Sequence, residues 1–139
     1  MARTTFNGPV VSQNGFIDGH QVTTANAINS TATATAAQVA SGYITSTSAA
    51  PTTITLPTGT ALGAALGATR GTTLDLFIDN TAGASTVTVA VNTNAVLSSA
   101  AVDTAGSFGD LTIASGATGI ARYTLMFSSA TAYTFTRTA

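Results

Sequence analysis

Two-residue alternation of apolar and hydroxyl positions dominates this chain, and it predicts strands. Thr53-Ile54-Thr55-Leu56 alternates cleanly and stops at Pro57, which has no N–H to give a ladder. Tyr43-Ile44-Thr45 is a shorter version. The clearest pair is Thr73–Asp79 and Thr86–Val91, read as a hairpin closed by Asn80-Thr81-Ala82-Gly83-Ala84. Its faces follow from parity: Leu74, Leu76 and Ile78 inward with Asp75 and Asp79 outward, then Val87, Val89 and Val91 inward with Thr86 and Thr88 outward. Further strands are predicted at Asp110–Ile113, Ile120–Phe127 and Tyr133–Thr136, separated by the turn segments Ser115–Gly119 and Ser128–Thr131. Thr60–Leu66 reads as a short helix with Thr60 as N-cap and Gly67 as stop.

Residues 1–41 have a thinner apolar signal. Pro9-Val10-Val11 and Gly15-Phe16-Ile17 are short pieces around an Asn14-Gly15 turn signal. Thr31-Ala32-Thr33-Ala34-Thr35 alternates, but alanine also favours helix. Residues 22–41 therefore stay open between strand, helix and arm. The expected architecture is all-β: a single antiparallel β-sandwich, jelly-roll-like, over 42–139, preceded by an extended N-terminal arm over 1–41. An arm so poor in large apolar residues orders itself only against something else.

Composition changes the picture. Only 6% of the 139 residues are charged, there is no lysine and no glutamate, and the formal net charge is -1. An ordinary soluble domain has about 25% charged residues. Lysine, the usual guard on strand edges, is missing, and weak net charge favours association. A surface of this kind is expected to be covered in an assembly.

Several classes are excluded or disfavoured on the same grounds. Arg3, Arg70, Arg122 and Arg137 are too few and scattered for a nucleic-acid interface. No apolar run reaches the roughly 20 residues of a spanning helix, no basic amphipathic helix is visible, and the start lacks the apolar stretch of a signal peptide. No membrane partner is expected. Cysteine is absent, so disulfides and thiolate metal sites are too.

Candidate chemistry is sparse. His20, the one histidine, stands two residues from Asp18, which falls short of the three or four ligands of a metal site. No Gly-x-Ser-x-Gly elbow is present to complete a triad. Asp75 and Asp79 share a strand face, but four residues of strand put them about 13 Å apart, too far for a glycosidase pair. Asp79-Asn80 fits a turn opener better. The Gly-rich segment Thr58–Gly67 lacks a Gly-Lys-Ser/Thr ending. Gly63 and Gly67 have small-xxx-small spacing, meaningful for association only in a membrane-length helix. Asn29-Ser30-Thr31 is a glycosylation sequon with no secretory signal beside it. Catalytic, cofactor and metal sites are all expected to be absent, and the chain is not expected to be an enzyme. The aromatic residues Tyr43, Phe77, Phe108, Tyr123, Phe127, Tyr133 and Phe135 are expected in core or inter-subunit packing.

The opening Phe6-Asn7-Gly8-Pro9-Val10-Val11-Ser12-Gln13-Asn14-Gly15-Phe16 resembles that of capsid decoration (cement) proteins of tailed bacteriophages. Thr53–Pro57, the Asp75–Val91 region and the ending Tyr123–Phe127 with Tyr133–Phe135 resemble the β-sandwich pattern common among phage virion proteins. The resemblance implies a protein made in the host cytoplasm and located on the outer capsid surface of the virion. It implies a homotrimer that clamps neighbouring major capsid protein subunits. Carried onto this chain, the capsid-contact residues would be Arg3, Phe6, Val10, Phe16 and Ile17. Two other readings compete. One is a tail or fibre module binding host surface glycans, favoured by an exposed groove with aromatic and Asp/Asn side chains. The other is an ice-binding protein, which would need several Thr-x-Thr rows aligned on one flat face.

Overall fold

A computed structural model describes residues 26–97 and 111–139. The arm residues Arg3, Phe6, Val10, Phe16 and Ile17, together with Asp18, His20 and Phe108, lie outside the described residues. Nine strands and two helices follow in the order β1 (Ala32–Thr33), α1 (Ala36–Ala40), β2 (Tyr43–Thr45), β3 (Thr52–Thr55), α2 (Gly59–Leu66), β4 (Thr73–Asp79), β5 (Val87–Ala90), β6 (Ala95–Leu97), β7 (Thr112–Ile113), β8 (Ile120–Ser129) and β9 (Ala132–Arg137).

The strands form a four-stranded sheet, β1-β3-β5-β7, and a five-stranded sheet, β2-β4-β8-β9-β6. Until β8 the chain changes sheet at every strand. Consecutive strands therefore do not pair, and strands two apart come to lie side by side in parallel: β1 with β3, β3 with β5, and β2 with β4. β6 also runs parallel to β9. Antiparallel pairing is confined to β4–β8, β5–β7 and β8–β9.

This overturns the expected single antiparallel, jelly-roll-like all-β sandwich. The fold is mixed α/β, with two mixed sheets and two helices. The expected β4–β5 hairpin is also wrong, although both strands exist. Alternation fixes which face of a strand is buried but carries no information about its partner. Here Asn80–Ala84 carries the chain across to the other sheet instead of folding it back. Val91 was expected inward; it lies beyond the end of β5 and is 50% exposed.

Both inward faces feed one core cluster. Leu74, Leu76, Ile78, Tyr123, Leu125, Phe127, Tyr133 and Phe135 come from the five-stranded sheet, and Ile54, Val87, Val89 and Ile113 from the other. Full burial of each large side chain stabilises by about 1.5–3 kcal/mol. Phe127 and Tyr133 meet at 5.3 Å between ring centroids, and Tyr123 and Phe135 meet edge-on at 6.2 Å. The Tyr133 hydroxyl donates to the Pro57 carbonyl at 2.7 Å, so this buried polar group is satisfied.

The core does not break at residue 41. Ile28, Ala34 and Val39 are buried in it. Within 22–41, the described part resolves into strand and helix in sequence. Thr31–Thr35 supplies only the two residues of β1, because Thr35 turns the chain into α1 through a capping box with Gln38. The helix expected at Thr60–Leu66 starts slightly earlier, with Thr58 as N-cap accepting from the Ala61 N–H at 3.2 Å. Gly67 ends it in the left-handed conformation, as expected (φ 57°). Gly59 and Gly63 let α2 lie directly on the β8–β9 turn, where a Cβ would collide with the Thr131 and Ala130 carbonyl oxygens.

One residue ties the crossing together. Asn80 is fully buried at the end of β4. Its Nδ2 donates to the carbonyls of Ser85 at 2.8 Å, Ala114 at 2.9 Å and Ile113 at 3.4 Å. Its backbone N–H donates to the Gly119 carbonyl, and its own carbonyl accepts from Gly83. The side-chain amide thus joins the entry to β5 and the exit from β7, and the backbone N–H of the same residue adds the entry to β8.

Candidate functional site

Parity along β4 places Thr73, Asp75, Phe77 and Asp79 on the outer face of the five-stranded sheet, opposite buried Leu74, Leu76 and Ile78. Along β8 the outward set is Ile120, Arg122, Thr124 and Met126. The register then assembles rows across the strands. Tyr43, Phe77 and Arg122 lie side by side, as do Thr45, Asp79 and Ile120. Asp75, Thr124 and Thr136 form the next row, and Thr73, Met126, Thr134 and Val96 the last.

Five large apolar side chains are exposed among the described residues, and four stand on this face. Phe77 is 39% exposed, Ile120 49%, Met126 55% and Val96 57%. Val91 is the fifth. Phe77 and Ile120 stand on neighbouring strands, and Met126 and Val96 flank Thr134, which makes this face the candidate interaction surface.

The polar groups on the face are pinned locally. Asp79 Oδ1 accepts from the Thr81 hydroxyl at 2.6 Å and the Thr81 backbone N–H at 2.9 Å. Its Oδ2 accepts from the Tyr43 hydroxyl at 2.7 Å. The hydrogen bonds from the Thr81 side chain, Tyr43 and the Thr81 backbone hold the Asp79 carboxyl below the usual carboxylate range. The bond to Asp79 pushes the Tyr43 hydroxyl above its ordinary value, helped by burial and by the Asp79 charge. Asp75 accepts from the Thr124 hydroxyl at 2.6 Å, and Arg122 Nε donates to the Thr138 hydroxyl at 3.0 Å.

Asp75 and Asp79 therefore share a face, as parity requires, but each is occupied by a different hydroxyl neighbour. Asp79 opens the turn after β4 through its bonds to Thr81, as the sequence implied. Among the described residues no group of three His, Cys, Asp or Glu side chains could hold a metal ion. No described helix is long and apolar enough to cross a membrane.

Two features of the face were missed in the sequence. β6, which brings Val96 to the sheet, is only three residues long and carries no alternation to detect. Ile120 and Met126 were detectable: once Ala121, Tyr123, Leu125 and Phe127 are assigned inward, parity sends both outward.

No protein-family model, curated protein or solved structure matches this chain. Fold and surface define it by themselves as a protein of two strand-exchanging mixed sheets, one of which exposes four large apolar side chains on its outer face.

Proposed function

We propose that the chain is a structural, non-enzymatic virion protein. It binds the outer surface of a tailed-phage capsid and stabilises it by clamping neighbouring major capsid protein subunits. The observation that carries this reading is the set of Phe77, Ile120, Met126 and Val96 gathered on one sheet face of a chain with 6% charged residues. Such a surface suits a molecule that works while covered. The likeness of residues 6–16 to decoration proteins supplies the partner, and with it the homotrimer and the capsid-contact residues Arg3, Phe6, Val10, Phe16 and Ile17. Attachment repeated over a symmetric shell is multivalent, so modest contacts at each copy sum to firm binding.

The test is occupancy on purified, expanded heads that lack the protein. Saturable binding is expected, with deletion of residues 1–20 lowering occupancy at least about tenfold while the circular dichroism spectrum is retained. Failure of the full chain to bind any head refutes the proposal. A tail or fibre module binding host glycans remains the second reading, favoured by the row Tyr43–Phe77–Arg122 beside Asp79 on an open face. Phe77-dependent retention on host surface glycan would select it.

A further inference from the structure

We propose that the outer face of the five-stranded sheet is the docking surface for a second copy of this chain, packed face to face about a two-fold axis. This face is the one that carries the capsid reading, but here a second copy occupies it, the capsid contact falls to the N-terminal segment, and the free chain is a dimer where the likeness implies a trimer.

The face offers a second sheet room to approach. Its exposed apolar groups, Phe77, Ile120, Met126 and Val96, lie at its periphery around the central threonines Thr124, Thr134 and Thr136. Short branched side chains let a second sheet approach closely at little rotamer cost. The larger groups then reach across to the partner.

Charge sets the symmetry of the contact. Asp75 and Arg122 sit on adjacent strands, diagonal to one another, since Asp75 pairs with Thr124 and Phe77 with Arg122. That diagonal corresponds to about 7–8 Å. Each is held by a threonine hydroxyl, and neither forms an ion pair among the described residues. A two-fold axis in the interface, passing midway between them and perpendicular to the line joining them, exchanges their positions. Asp75 of each copy then faces Arg122 of the other, and the contact is isologous and closes at two copies. A carbohydrate would also meet Phe77 and the two charges, but it gives no role to Ile120, Met126 and Val96.

Area sets the strength. Five strands about 4.8 Å apart and the run from Ile120 to Ser128 at about 3.3 Å per residue give roughly 500 Å2 of face per copy. About 1,000 Å2 in the pair is the lower bound for a specific interface, so a weak, concentration-dependent association is expected.

The experiment is sedimentation of the full chain from low micromolar to millimolar concentration. A reversible monomer–dimer equilibrium is expected. Asp75→Arg or Arg122→Asp should each weaken it at least about tenfold, and the double exchange should restore it. Restoration cannot come from a merely structural effect of either substitution, so it also controls for misfolding. Phe77→Ser should weaken association to a similar degree while the chain stays folded by circular dichroism. The proposal is overturned by a monomer throughout, by a trimer indifferent to these substitutions, or by Phe77-dependent glycan binding without self-association. Head occupancy measured on the same variants reports on the capsid reading separately.

Discussion

Seen from outside, the four-stranded sheet presents Thr33, Thr53, Thr55, Thr88, Ala90 and Thr112. The five-stranded sheet presents Phe77, Ile120, Met126 and Val96 with Asp75, Asp79 and Arg122 between them. Both come from the same two-residue alternation, and both bury the other half of each strand in one core. Thr53, Thr88 and Thr112 stand in a single row across β3, β5 and β7, while Ala90 interrupts the next row after Thr33 and Thr55. A face of small hydroxyls and methyls offers water partners everywhere and a protein little to grip. A face with large apolar groups, and with charges that meet only hydroxyl and backbone partners among the described residues, does the reverse. The inward halves are dictated by the fold, so the outward halves are where the two sheets record different uses.

The comparison assumes that the sheets are exchanged strand by strand, and the largest effect tests that. Asn80→Ala removes the donor shared by the Ser85, Ile113 and Ala114 carbonyls, and should cost about 3 kcal/mol in urea unfolding. Asn80→Asp, nearly isosteric, turns a carboxylate toward the same carbonyls. It should cost more than Asn80→Ala at neutral pH, with the gap narrowing in acid as the carboxyl gains a proton. Equal stability of Asn80→Ala and the parent would deny the crossing its rivet. Inside the core, Tyr133→Phe leaves the Pro57 carbonyl without its buried donor and should cost about 1–2 kcal/mol, read from the same denaturant curves.

The outer faces are then set against each other. Phe77→Ser should cost about 1–2 kcal/mol through the covered part of a side chain that is 39% exposed, and Thr88→Ser, at a half-buried position, about 0.5 kcal/mol. Only the first should disturb self-association. An equal loss from Thr88→Ser would erase the distinction between the sheets.

The smallest effect is the pH response of the Tyr43–Asp79 contact. Asp79 has a depressed carboxyl, so its contribution is present above the ordinary carboxylate value and is lost as pH falls through the folded value. Tyr43 has a raised hydroxyl, so its share is full below 10.0 and disappears as pH rises through the higher folded value. Stability of Asp79→Asn against the parent, measured across both ranges, should lose the acid-side component.

Much of the strand content was legible because burial imposes parity on each strand in turn. β2, β3, β4, β5, β8 and β9 fall where alternation put them, and Leu74, Leu76, Ile78, Val87 and Val89 are inward as read. Pairing was not legible. A turn opened by Asn80 and containing Gly83 between two alternating runs reads as a hairpin, and nothing local announces that Asn80 spends its amide on Ala114 and Ile113, more than thirty residues away. The parallel neighbours follow from that long-range choice. α1 was obscured because the Thr-x-Thr alternation, a strand signal, runs directly into helix-favouring alanines, and only the capping of one end by Thr35 and Gln38 separates the two. The candidate face was half visible. Asp75 and Asp79 were placed outward, but Phe77, in the same parity class, was assigned to packing by its residue type. On this surface residue type and position point to the same conclusion only if packing continues into another molecule.

Met126 offers the most direct measurement. It stands on the five-stranded face at 55% exposure, and the chain has only two methionines. The rate of its conversion to the sulfoxide by dilute peroxide can be followed by mass spectrometry as protein concentration is raised. Progressive protection of Met126, abolished by Arg122→Asp, is the outcome expected if this face is covered by a second copy. An oxidation rate independent of concentration into the millimolar range would contradict it.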